Sequence, residues 1–291
     1  MIDFASYKKI VNESLEDYLP KKVGEAKRLY ESMGYSLLSG GKRLRGSMLL
    51  FSAGYCGLEI KDALPFACAL EMIHAYSLIH DDLPVMDNDD LRRGKPTNHK
   101  VYGDAMALLA GDALLNQAFE VMAQEGAKLS GDRAACALRA IAYISKCSGA
   151  SGMIAGQVAD MKDFEPNEQR LLYIEENKTA KLFMAALAGG AYLAGAPEEI
   201  TAAFEKYAYN YGLAFQITDD ILDETGDEAL IGKPIKSDEK NNKLTAVKLF
   251  GLDGARQHAV KAVNEAVFAL EGMKGTKALC DLALSMADRK F

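Results

Sequence analysis

The chain has 291 residues, 49% of them hydrophobic, and a formal charge of −7 from 41 acidic and 34 basic side chains. That balance, without a long basic run, argues against nucleic acid as a partner, and the apolar share is enough for a substantial core. The five cysteines (Cys56, Cys68, Cys136, Cys147, Cys280) are odd in number and include no Cys-x-x-Cys pair. They read as reduced thiols of a cytoplasmic protein, not as a disulfide frame or zinc site.

Apolar residues recur at helical spacing in most segments, alternating strand patterns are absent, and glycine and proline punctuate roughly ten helices. An all-α fold is expected. No linker or compositional break divides residues 1–291, which predicts a single large helical bundle. The first residues, Met1 to Lys9, lack the basic-then-apolar order of a signal peptide.

The first polar element in chain order is Ser39-Gly40-Gly41-Lys42-Arg43-Leu44-Arg45-Gly46. It is not a Walker P-loop, because Ser36 replaces the leading glycine and Arg43 the Ser/Thr after the lysine. By itself it reads as a glycine helix terminus followed by a solvated basic turn.

An apolar helical run from Leu64 to His80 then leads into Asp81-Asp82-Leu83-Pro84-Val85-Met86-Asp87. His74 precedes Asp81 by two helical turns and shares its face. Pro84 should disturb the helix directly after the paired aspartates. Asp87, six residues after Asp81, would not align with it on a regular helix, so this distortion is expected to return it to the same site. A calcium-loop reading of Asp87 onward fails, because Arg92 stands where glycine is required and Asn98 where Glu is required. Arg92-Arg93 follow; such a pair can simply neutralise the acidic cluster, or bind phosphate in bidentate fashion.

Gly156-Gln157 and Asp160 form a polar group in an Ala/Gly-rich helical stretch, and Lys178-Thr179 and Lys181 interrupt an otherwise apolar helix. The longest apolar stretch, Phe183 to Ala196, is too short to span a bilayer and contains Gly189-Gly190. A second acidic cluster, Asp219-Asp220-Ile221-Leu222-Asp223, follows apolar Tyr211 to Phe215. Gln216, Asp219 and Asp223 fall on one helical face. The Gly/Lys/Asp/Asn-rich segment 226–242 reads as a candidate lid, and Lys233 and Lys243 add cations there.

Carboxylates this dense repel one another and are stable together when cations lie between them. Hard oxygen donors without a nearby cysteine suit magnesium, which takes one or two carboxylates and completes its shell with phosphate. No Gly-x-Ser-x-Gly elbow exists, and His80, His99 and His258 have no Ser or Cys in a recognisable arrangement. Two acidic walls, separate cations and a dry helical interior suit a diphosphate carried on a hydrocarbon.

These motifs resemble those of the trans-isoprenyl diphosphate synthases, most closely the bacterial-type farnesyl diphosphate synthases, over essentially the whole chain: Gly40 to Arg45, both aspartate clusters, Gly232-Lys233-Pro234 and Lys243. The resemblance implies the isoprenoid synthase fold with a central apolar cavity, and a homodimer. It also implies three magnesium ions held by Asp81 and Asp87, with Asp82 in support, and by a second motif led by Asp219 with Asp223. Arg92, Lys178, Thr179, Gln216 and Lys233 would serve the allylic substrate, and Lys42, Arg45, His74 and Arg93 the isopentenyl diphosphate. Lys243 matches a lysine near the site. Thr179, Gln216 and backbone carbonyls would stabilise an allylic cation, with Lys178 beside the leaving diphosphate.

Product length is expected to depend on the Asp81 helix. Tyr76 lies five residues upstream of Asp81, about 7.5 Å along the axis, while Ser77 is the residue directly in line with it. An aromatic at the Tyr76 position accompanies a fifteen-carbon product in the family, and smaller residues accompany twenty carbons. Two departures from the family pattern stand out. Gly46 replaces a common proline, a change expected to loosen the loop, and Lys248 brings an extra cation near the lid. A terpene cyclase would not need the second diphosphate pocket of Lys42, Arg45 and His74, and non-catalytic synthase subunits commonly lose aspartates that are intact here.

Overall fold

The computed structural model describes residues 3–21, 23–161, 167–225 and 243–287. The candidate lid with Lys233 lies outside the described residues. The helices are α1 (Phe4–Ser14), α2 (Lys27–Leu37), α3 (Leu44–Tyr55), α4 (Ile60–Asp81), α5 (Asn98–Tyr102), α6 (Asp104–Ala127) and α7 (Gly131–Ser148). They continue as α8 (Met153–Asp160), α9 (Glu168–Ile174), α10 (Lys181–Leu193), α11 (Glu198–Thr225), α12 (Ala246–Phe268) and α13 (Lys277–Ala287). The expected all-α architecture is present.

Helix α10 packs against α3, α7 and α11, while α4 lies between α3 and α6, and α12 flanks α11. The reason lies in the side chains. Most of α10 is small or apolar and buried, including Leu182, Phe183, Leu187 and Leu193. A Cβ at Gly190 would lie 2.2 Å from Ser52 Oγ and 2.5 Å from Leu49 O, so only glycine lets the α3 and α10 backbones approach this closely. The apolar stretch that begins at Phe183 is thus a core helix, and no helix among the described residues is long and apolar enough to cross a membrane. Along α4, Phe66, Leu70, Met72 and Ile73 are fully or almost fully buried, each contributing about 1.5–3 kcal/mol relative to exposure.

Helix starts follow capping chemistry. The carboxylate of Asp3 accepts from the Ser6 amide at 2.7 Å, the Asn167 side chain from the Arg170 amide at 2.9 Å, and the Thr245 hydroxyl from the Lys248 amide at 3.1 Å. The sequence reading missed one small antiparallel hairpin, β1 (Leu91–Arg92) and β2 (Lys95–Pro96), with Arg92 opposite Lys95. Its two-residue turn puts Arg93 at φ 54° and Gly94 at φ 73°, the pair of positive φ values that a type I′ hairpin requires. Buried Thr97 and Asn98 anchor this hairpin. The Thr97 hydroxyl donates to Asp89 O at 2.7 Å, and the Asn98 amide donates to Ser32 O at 2.9 Å on α2.

Candidate active site

Helix α4 ends at Asp81, two residues before the Leu83 that precedes Pro84, as the steric restriction before proline favours. The chain then turns back on itself: the Asp87 amide donates to Asp81 O at 2.9 Å and the Asn88 amide to Leu83 O at 3.1 Å. Asp87 therefore returns beside Asp81, as the position of Pro84 predicts. Burial raises the pKa of Asp81, and Asp87 pushes it the same way against the pull of Lys178, Lys243 and Arg92. Asp82 faces elsewhere. It is buried and takes a bidentate contact from Arg92, with Nε at 2.7 Å from Oδ1 and 2.9 Å from Oδ2. Burial moves its carboxyl up to about 6 despite the Arg92 bonds. Arg92 thus serves the acidic cluster as its counter-charge, one of the two roles open to it from sequence, while its side chain also lines the mouth described next.

The opposite wall comes from α11 and from a π-helical turn, Glu175–Ala180, between α9 and α10. A π turn inserts an extra residue and re-aims the side chains after it, here Lys178 and Thr179. Two glycines admit it: a Cβ at Gly156 would lie 2.1 Å from Lys178 N, and one at Gly212 would lie 2.4 Å from Ala180 Cα. The Thr179 hydroxyl donates to Gln216 Oε1 at 2.7 Å, and Gln216 Nε2 donates to Asp220 Oδ1 at 2.8 Å. Asp220 Oδ2 in turn accepts from the Ala246 amide at 2.9 Å, tying α12 to the wall. Asp219 is exposed at the mouth and Asp223 is buried.

A polar mouth of about 170 Å³ gathers Asp81, Asp87, Asp89, Asp160, Lys178, Gln216, Asp219, Asp220 and Lys243. Lys243 lies 2.7 Å from Asp87 Oδ2 and 3.8 Å from Asp160 Oδ2, and Lys178 lies 2.6 Å from Asp160 Oδ2. Asp223 does not line this mouth, although its helical spacing puts it on the Asp219 face.

Beside the mouth, a cavity of about 660 Å³ is lined by Lys42, Arg45, His74, Arg92, Arg93, Phe215 and Asp219 among others. Arg45 donates to His74 Nε2 at 3.3 Å and its guanidinium stands 4.3 Å from the centre of the Phe183 ring. Burial draws Arg45 down to about 10 and, with four nearby arginines, holds His74 well below its ordinary range. His74 is therefore a neutral acceptor. Arg93 reaches back to Gly40 O. The Gly46 amide is buried and donates to Glu71 Oε1 at 2.8 Å, so the glycine at this position adds a hydrogen bond where loosening of the loop is expected from sequence.

A third space of about 570 Å³ runs from Asp81, Lys178, Thr179 and Gln216 past Ser77 and Tyr76 to Leu108 and Leu115 on α6. It is mostly apolar. Tyr76 is buried, packs edge-on to His80 at 5.7 Å between ring centres, and has its hydroxyl pushed up to about 12 by burial and by Asp81.

The sequence pattern of the polyprenyl synthetase family matches residues 26–276. The chain is 47% identical to a farnesyl diphosphate synthase of Geobacillus stearothermophilus over 256 residues, covering 86% of this chain and 84% of that protein. The chain belongs to the polyprenyl synthetase family. It is also 43% identical to a geranylgeranyl diphosphate synthase of Cyanophora paradoxa, over 89% of this chain and 86% of that protein. Among solved structures, the geranyltransferase of Helicobacter pylori in complex with magnesium and isoprenyl diphosphate matches with a TM-score of 0.84 at 30% identity. That match covers 98% of this chain and 94% of the other. Such neighbours have the all-α isoprenoid synthase fold, as expected from the sequence.

Within this family member, sequence reasoning noted Asp160 only as part of a polar group with Gly156-Gln157, placed Asp220 in the second acidic wall without a role of its own, and missed Glu175 as a component of the mouth. Glu175 carries no sequence signal. It is buried, Oε1 has no hydrogen-bond partner among the described residues, and burial with the charge of Asp220 raises its pKa to about 8.

Proposed function

We propose that the chain condenses isopentenyl diphosphate with dimethylallyl and then geranyl diphosphate to give farnesyl diphosphate. The observation that carries this reading is one helix, α4, whose Asp81 opens onto a charged mouth while Tyr76 and Ser77 face an apolar cavity continuous with it. The allylic diphosphate lies at the mouth beside Lys178 and Lys243, with Lys233 assigned to it by family resemblance. Isopentenyl diphosphate lies in the basic cavity, held by Lys42, Arg45, His74 and Arg93.

The donor set fits magnesium. All the candidate ligands are carboxylate oxygens, the hard donors that magnesium takes one or two at a time while substrate phosphate completes its shell. Asp81 and Asp87 on one wall and Asp219 on the other would hold it, three ions per site with diphosphate bound. Family resemblance adds Asp82 and Asp223, but Asp82 is buried against Arg92 and Asp223 is buried off the mouth, so these two stand behind the ligands. The chemistry supplied by bound magnesium is Lewis-acid polarisation of the departing diphosphate.

The side chains divide the remaining work. Lys178 and Lys243 offset charge on the diphosphate as the C1–O bond breaks. The hydroxyl of Thr179 and the amide of Gln216, held together at 2.7 Å, present oxygen dipoles to the allylic cation. The double bond of the isopentenyl unit attacks that cation, and the proton lost passes to the released diphosphate. The apolar cavity excludes water that would quench the cation. Tyr76 blocks growth beyond fifteen carbons.

The whole of residues 1–291 acts as one domain in this reading, supported by a core that runs from Tyr7 to Met286. A homodimer is assigned by family resemblance; light scattering at assay concentration tests it, and a stable monomer refutes it. Free cysteines suit the reducing cytoplasm. The function is tested by incubating purified protein with magnesium, isopentenyl diphosphate and dimethylallyl diphosphate, then separating the dephosphorylated products by chromatography. Farnesol is expected. Geranylgeraniol would overturn the chain length, and diphosphate release without elongation would favour a cyclase.

A further inference from the structure

The last turn of α8 is held from outside by Arg170. Arg170 donates to Ala159 O from Nε at 2.9 Å and from Nη2 at 2.6 Å, and to Met161 O at 2.6 Å. One turn earlier, Gly156 brings the helix into backbone contact with the π turn at Lys178. Between these two anchors stands Asp160, its side chain 8% exposed. Its Oδ2 lies 2.6 Å from Lys178 Nζ and 3.8 Å from Lys243 Nζ, and Lys243 also lies 2.7 Å from Asp87.

We propose that Asp160 is a positioning residue for the two lysines of the mouth. Lys178 belongs to the π turn and Lys243 leads into α12, so no common element fixes the distance between them. Two ammonium groups on flexible stems repel at close range. A shared carboxylate on a rigid turn offsets that repulsion and holds both nitrogens at the same end of the site. Asp160 stands on α8, outside the chain reversal that brings Asp87 (itself 2.7 Å from Lys243) back beside Asp81, and is therefore assigned to the lysines and not to the magnesium ligands. This inference rests on the proposed reading of the mouth as a diphosphate site.

Electrostatics alone makes the opposite prediction from positioning. Removing a negative charge beside an anion site should tighten anion binding, whereas removing the group that orders two lysines should weaken it. Asp160→Asn keeps the shape and deletes the charge. Magnesium with inorganic diphosphate, titrated calorimetrically into the full-length protein, should bind about 10- to 100-fold more weakly to this variant, the range seen when the supports of ligating groups are lost. Turnover should fall with it, while KM for isopentenyl diphosphate stays within about twofold, since Lys42, Arg45 and His74 do not touch Asp160.

Asp160→Glu should recover part of both losses, and thermal melting of each variant distinguishes misfolding from misplacement. Diphosphate binding to Asp160→Asn that is unchanged or tighter overturns the inference, as does an equal rise in KM for both substrates with no rescue by Glu. If the parent protein itself binds no magnesium diphosphate and forms no prenyl product, the reading of the mouth fails instead.

Discussion

The mouth and the tail cavity meet at Asp81 but are built on different terms. The mouth depends on irregular backbone: a chain reversal that bonds Asp87 to Asp81 O and a π turn at Lys178. The cavity beneath it is walled largely by regular helical faces, with Tyr76 and Ser77 from α4, Leu108 and Leu115 from α6, and Ile154 and Val158 from α8. Charged chemistry needs atoms placed to within a fraction of an ångström, and helical periodicity alone does not bring groups from four elements to one point. Limiting a hydrocarbon needs only bulk at the right depth. Substitutions in the mouth should therefore change rate, and those in the cavity should change product.

The largest test of that division is Asp81→Asn, expected to lower turnover about 1,000-fold, the upper range for losing a group that stabilises developing charge. Because burial already disfavours the charged form of Asp81, its melting temperature should not fall; a loss of activity that merely follows unfolding would contradict the assignment. Next is Gly156→Ala, whose methyl group would meet Lys178 N. It should cost roughly 1–3 kcal/mol in denaturant titrations through overpacking, and should depress turnover while leaving the length of the product unchanged. Tyr76→Ala should do the reverse. Chromatography should show products beyond fifteen carbons, with the first condensation slowed by no more than about threefold if cavity bulk acts apart from transition-state charge. Farnesol as the sole product would remove Tyr76 as the floor.

A further test concerns Glu175, raised from its ordinary 4.5 to about 8 by burial first and by Asp220 second. An acid raised in the folded state keeps its proton there while the unfolded chain has lost it. Stability therefore declines as pH rises from near 4.5 towards 8, then levels off. Glu175→Gln should remove that decline, so the variant's advantage over the parent should grow across the same interval in chemical denaturation. Parallel pH curves for the two proteins would show that Glu175 does not titrate as described.

The fold was legible because Ala- and Leu-rich segments carry helical periodicity throughout, and Phe183 to Ala196, too short to span a bilayer, could be placed in the core. Asp81, Asp87 and Asp219 were legible because like charges adjacent in sequence already imply a cation, and Pro84 pointed to the reversal that brings Asp87 back. Depth was not legible. The i, i+4 spacing places Asp223 on the face of Asp219, yet Asp223 is buried and absent from the mouth, while neighbouring Asp220 lines it. Partners distant in sequence were equally hidden: Asp220 meets the Ala246 amide and Asp160 meets Lys178 and Lys243 only after four helices pack. Nothing in Glu175 to Ala180 marks a π turn, because the insertion is fixed by Gly156 and Gly212 on its neighbours. Arg93-Gly94 also lacks the Asn-Gly or Asp-Gly signature of its turn type.

The buried bond from the Gly46 amide to Glu71 bears on exchange between family members. A Cβ at position 46 would already sit 3.1 Å from Glu71 Cγ and 3.2 Å from Ala67 O, and a proline would also remove the donor and leave a carboxylate oxygen unpaired. A basic loop transplanted from a proline-bearing relative would therefore arrive incompatible with the helix beneath it. The loop and the Glu71 segment of α4 form a single unit of inheritance, to be moved together in any chimera or not at all.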